Sequence, residues 1–105
     1  MQDIKIEDTV LLIDSSRSML RKDFPPNRLT IALQTAKYFI QSKANIDPKD
    51  RISIISFGSE TRKLSSFSSD ETSLISSLKK VKISGKGKVH SAIAFSLQFI
   101  IQEMR

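Results

Sequence analysis

The chain has 105 residues, of which 39% are apolar and 27% charged, with Lys plus Arg outnumbering Asp plus Glu by 17 to 11. That length leaves room for one small domain, 1–105, and the balance of apolar and charged residues excludes wholesale disorder. There is no cysteine for a disulfide or thiolate metal site, no run of membrane-spanning length and no signal-peptide pattern, so an intracellular location is expected, cytoplasmic or, in a eukaryote, nuclear.

The first predicted element is a strand over Thr9 to Asp14. Val10, Leu11, Leu12 and Ile13 are consecutively apolar, as in strands of parallel sheets covered on both faces. Pro25 and Pro26 oppose a helix, Asn27 suits an N-cap, and from Arg28 to Lys43 the residues Leu29, Ala32, Leu33, Ala36, Phe39 and Ile40 recur at helical spacing. "DPKD" at 47–50 is a turn, and "RISIISF" at 51–57 a second buried strand. Gly58 and Ser59 turn the chain into "TRKLSSF", a weaker edge strand by its charges.

Ser68 and Glu71 have the spacing of a capping box, opening a helix with Leu74, Ile75, Leu78 and Val81 on one side. "KISGKGK" breaks it, and from about Val89 the residues Ala92, Ile93, Leu97, Ile100, Ile101 and Met104 mark a third helix. Strand, helix, strand at these lengths implies a right-handed parallel crossover, hence an α/β fold.

Asp14, Ser16 and Ser18 stand where ligands bind in open α/β sheets, at the carboxyl end of a strand. One carboxylate and two hydroxyls are hard oxygen donors, matched to magnesium rather than to zinc or copper. The same residue types also form turns and caps with no ligand.

Asp14-x-Ser16-x-Ser18 behind an apolar strand, with "RLTIAL" and "DRISIISF" following in order, resembles the metal-ion-dependent adhesion site of von Willebrand factor A (VWA) domains. The resemblance runs from about residue 8 to 105. It implies the N-terminal half of a Rossmann-like VWA fold: three strands in the order 3-2-1, strands 1 and 2 parallel, strands 2 and 3 an antiparallel hairpin, with three helices. "DSSRSM", "DFPPNRLT" and "SLKKV" are most similar to the VWA subunit of transcription and repair factor IIH, and similar also to the VWA domain of the proteasome's ubiquitin-receptor subunit.

By that resemblance Asp14, Ser16 and Ser18 are first-loop metal ligands, the aspartate acting through water. The family's second-loop threonine would fall in "GKGKVHS", where glycine and lysine stand and Ser84 and Ser91 are poor substitutes by position, and its last aspartate lies past a fourth strand not reached here. Magnesium is therefore expected to bind weakly or not at all. The resemblance also leaves the edge of strand 1 without its usual neighbour; either Val10 and Leu12 meet a second copy or a complementing chain, or the sequence is a fragment of a longer domain that covers them itself.

Lys79, Lys80, Lys82, Lys86 and Lys88 form a basic stretch, read either as a contact for an acidic partner or nucleic-acid phosphates, or as solvated lysines suited to a helix C-terminus. "SGKGKVHS" lacks the spacing of a phosphate loop. His90 is the sole histidine, no nucleophile elbow surrounds a serine, and the acids are unpaired, so no catalysis is expected. Phe24, beside two prolines, is a candidate contact anchor. The expected function is a non-catalytic protein–protein interaction module in a factor IIH-like assembly, with a proteasomal ubiquitin-receptor-like module and a basic nucleic-acid-binding domain as alternatives.

Overall fold

In the computed structural model the described residues are 6–23 and 25–85. They form β1 (Asp8–Asp14), a 3-10 turn (Arg17–Leu20), α1 (Arg28–Ile46), β2 (Arg51–Phe57), β3 (Thr61–Ser68) and α2 (Glu71–Leu78). The sheet order is β1-β2-β3. β1 lies parallel to β2 in unbroken register from Asp8 opposite Arg51 to Asp14 opposite Phe57, as the apolar runs predict. The expected third helix from Val89 lies outside the described residues, as do Phe24, Lys86 and Lys88.

α1 begins where its cap predicts: Asn27 Oδ1 accepts the Thr30 N–H at 2.8 Å and the Thr30 hydroxyl at 3.0 Å. The helix runs to Ile46, one turn beyond the expected end, before Asp47 and Pro48 stop it. The capping box at Ser68 and Glu71 is not formed. The N-cap of α2 is Asp70, and the Ser68 hydroxyl accepts the Asp70 N–H at 3.0 Å, a local turn instead of a cap. α2 ends at Leu78, so Val81 packs on the core from a succession of tight turns rather than from the helix itself.

Both helices cover one face of the sheet. Ile13, Ile52, Ile54 and Leu64 from the strands meet Ala36 and Ile40 of α1 and Leu74 and Leu78 of α2. Strand alternation directs Val10, Leu12, Ser53, Ile55 and Phe57 to the opposite face. β3 pairs antiparallel with β2, but its register slips twice, and between Ile54 and Ile55 the slip lets Leu64 join the core while Ser65 pairs with Ile54. That irregularity, with exposed Arg62 and Lys63, is how edge strands avoid unwanted pairing. Inside the sheet the buried Ser53 hydroxyl donates to the Ser65 carbonyl at 2.6 Å.

A charged clamp closes the amino end of the sheet. Asp50, only 8% exposed, accepts the Glu7 N–H at 2.9 Å and lies 3.0 Å from Lys43 Nζ, which also reaches Glu7 at 3.3 Å. Asp8 and Arg51, paired in register, add a two-pronged contact at 2.9 and 2.6 Å, with Arg51 over the Phe67 ring. The Glu7 N–H, then the Lys43 ammonium, hold the Asp50 carboxyl below its ordinary range; hydrogen bonding to Asp50, outweighing desolvation, raises Lys43.

The sign of the pH dependence follows. Asp50's contribution is complete above the ordinary aspartate value near 3.8 and is lost as pH falls through its lower folded value; Lys43's is complete below 10.5 and is lost as pH rises beyond it. Asp50→Asn keeps an oxygen for the Glu7 N–H but removes the charge. We expect it to lower the melting temperature at pH 7 and to flatten the fall of that temperature below pH 4, as circular dichroism would record.

Candidate functional site: the carboxyl rim of β1

β1 ends at Asp14, and the chain leaves the sheet there through a loop whose oxygens are already organised. Asp14 Oδ1 accepts the Ser16 N–H at 2.8 Å, and the Ser16 and Ser18 hydroxyls lie 2.9 Å apart, one donating to the other. Ser15 and Ser16 are buried, whereas Ser18 is exposed. The 3-10 turn begins at once, with the Met19 N–H on the Ser16 carbonyl at 3.0 Å. Asp14, Ser16 and Ser18 are thus brought together, as their alternate spacing predicts.

Two other segments lock this loop in place. Ser15 donates its N–H to the Phe57 carbonyl at the end of β2, and its own carbonyl accepts the Ser84 N–H, both at 2.8 Å. The Arg17 N–H reaches the Gly85 carbonyl and the Ser59 N–H the Ser84 carbonyl, both at 2.9 Å; the Ser84 hydroxyl accepts from Ser59 as well, at 3.2 Å. Residues 84–85 therefore wedge between the β1 loop and the β2–β3 turn.

The wedge fits because of two glycines. A Cβ on Gly58 would strike the Ser84 carbonyl and lie 2.5 Å from its hydroxyl, and one on Gly85, at φ +44°, would lie 2.8 Å from Ser59 Cβ. Sequence reasoning marks both glycines only as turn signals and sets Ser84 aside by position. Their mutual contact spans 26 or more residues and leaves no local pattern.

The two serine hydroxyls have the spacing of a magnesium ion's ligands, but the rim falls short in charge. Oxygens at neighbouring corners of an octahedron with 2.1 Å metal–oxygen bonds are about 3.0 Å apart, close to the Ser16–Ser18 separation of 2.9 Å. Only one carboxylate accompanies them, and no group of three His, Cys, Asp or Glu suited to a metal occurs among the described residues. Two hydroxyls and one negative charge are what this rim presents.

The other expected contact residues separate in space. Val10 is half-buried and Leu12 is 38% exposed, both on the face opposite α1 and α2, along an edge of β1 that has no strand partner among the described residues. Lys80 and Lys82 are exposed beyond the end of α2. No described helix is long and apolar enough to cross a membrane.

Comparison with known proteins agrees with this geometry. Residues 9–105 match the sequence profile of the von Willebrand factor type A domain. The 26S proteasome regulatory subunit RPN10 of Saccharomyces cerevisiae is 31% identical over 93 residues, 88% of this chain and 34% of that protein. Among solved structures, the SpRpn10 VWA domain superposes with a TM-score of 0.76 at 22% identity, over 90% of this chain and 51% of that one. An uncharacterised membrane-spanning protein from Vibrio fischeri gives 0.85 at 18%, over 96% and 52%; at such identities the likeness concerns the fold. The chain spans about one third of RPN10 and about half of these two structures.

Proposed function

Because the chain belongs to the von Willebrand factor type A domain family, we propose that it is a non-catalytic docking module of a larger protein assembly related to the proteasome. The 31% identity to RPN10 over most of the chain carries this reading, and it favours the proteasomal alternative over the factor IIH reading that the sequence first suggests. The docking surface is the edge of β1, where backbone groups that have no strand partner among the described residues, and the exposed Leu12, accept a further strand from another chain or a second copy. Affinity capture of the tagged chain from cells that express it, read by mass spectrometry, tests the proposal. Proteasome regulatory components are expected; factor IIH components would restore the first reading, and an enzyme's turnover sensitive to Asp14→Ala would defeat both.

The Asp14 rim is a weak magnesium site within this module, because a single carboxylate offsets only half of a divalent charge. A millimolar dissociation constant is expected by calorimetry, and a tenfold excess of magnesium then adds about 1.4 kcal/mol of stability. Asp14→Asn retains an acceptor for the Ser16 N–H and removes that increment alone. Saturation at micromolar magnesium would show that the rim holds the ion far more tightly than its charge allows.

A further inference from the structure

On the helical face, away from the rim and the β1 edge, α1 and α2 leave a groove of about 240 Å³ between them, lined by Leu33, Gln34, Lys37, Ile75, Leu78 and Lys79. Its floor is apolar and two lysines stand in its walls. We propose that this groove docks an acidic segment of a partner protein, which seats one or two bulky apolar side chains between the helices and sets carboxylates against Lys37 and Lys79.

Size and charge together choose this occupant. Small-molecule sites run from about 300 to 1,000 Å³, so the groove is undersized for a cofactor but suits individual side chains. Lys37 sits in the middle of α1, ten residues into a helix of nineteen, where the helix dipole gives a cation no advantage. Both lysines are exposed, and neither makes an ion pair among the described residues. Lys80 and Lys82 extend the positive border past Lys79, α1 contains no acidic residue, and the chain carries a net charge of +6. A second copy would bring like charge to this border. Nucleic acid would have to place phosphates or base edges over Leu33, Ile75 and Leu78, which offer no hydrogen bonds. Tyr38, 73% exposed and one turn from Gln34 along α1, adds contact area beside the groove.

The test is nuclear magnetic resonance on the isotope-labelled 105-residue chain, titrated with an acetylated peptide of about twelve residues in which two leucines, four apart, lie among glutamates. We expect saturable amide shifts clustered at Leu33, Lys37, Ile75, Leu78 and Lys79. Replacing the leucines by alanine, or the glutamates by glutamine, should weaken binding at least tenfold. Lys37→Glu with Lys79→Glu should do the same while the amide spectrum stays that of the folded chain, and a peptide with lysines for glutamates should regain it; some loss of melting temperature is expected from a glutamate at Lys79, the C-cap of α2. Shifts that are absent, lie elsewhere or survive the charge reversal would overturn the proposal. So would an oligothymidylate of equal length that shifts the same amides more strongly, or shifts in the chain alone that vanish on dilution, which would make a second copy the occupant. The groove shares no residue with the β1 edge, so this test and the capture experiment fail independently.

Discussion

Ile54→Ala is expected to remove about 2–5 kcal/mol of folding stability, the cost of deleting a fully buried branched side chain and leaving a void. Ile54 has 0% exposure and lies in the middle of the central strand, with Leu11 in register on one side and Ser65 on the other. Its side chain enters the cluster where α1 and α2 meet the sheet. A domain of this size has about 5–15 kcal/mol in all, which makes the loss a large fraction. Urea unfolding should show a lower midpoint at unchanged slope, Ile54→Val should cost about 0.5–1.5 kcal/mol, and Ile46→Ala, at a residue 74% exposed, should cost almost nothing. A small effect of Ile54→Ala would mean that the two helices are not seated on this face.

Gly58→Ala should cost far more than a single methyl usually does. The added carbon meets the backbone oxygen of Ser84 first, its hydroxyl at 2.5 Å and the Ser15 carbonyl at 3.2 Å, so relief requires moving main chain rather than rotating a side chain. Overpacking of this kind costs about 1–3 kcal/mol, and displacing residue 84 forfeits bonds to Ser15 and Ser59 worth about 1 kcal/mol each. Hydrogen exchange provides the local readout: the Arg17, Ser59 and Ser84 amides should lose protection while the β1–β2 ladder keeps its own. Unchanged protection at Arg17 would show that the β1 loop is held by something other than residues 84–85.

Both predictions rest on parts of the fold that differ in how legible they are. β1, β2 and α1 could be read because long apolar runs and a clear 3.6-residue period leave one compatible structure for each. β3 could be placed but not its slipped register, since Leu64 is the lone buried side chain in a segment of serines and charges. The 3-10 turn after Ser16 has no periodic signature at four residues. Ser68 carried the spacing of a cap, yet Asp70, two residues on, took the position because the chain was still pairing as strand through Ser68.

The oxygen cluster of the candidate site was visible because its three members are near neighbours in sequence. What fixes them was not visible, because Gly58, Ser59, Ser84 and Gly85 come from two distant turns. Asp50 shows the same limit. In sequence it is a turn residue; in space it anchors Glu7, 43 positions earlier, and Lys43.

The parallel pairing of β1 with β2 has a consequence for the birth of the protein. Each residue of β1 finds its opposite number 43 positions later, as the Asp8–Arg51 contact shows, whereas β2 reaches β3 through a turn of only three residues. At translation rates of about 5–20 residues per second, the Val10–Ile13 segment emerges some 2–9 seconds before its mate exists. During that interval it is a naked oily ribbon in a crowded cell, and Asp8 and Asp14 put a negative charge at each of its ends, the flanking place in which charged residues oppose aggregation.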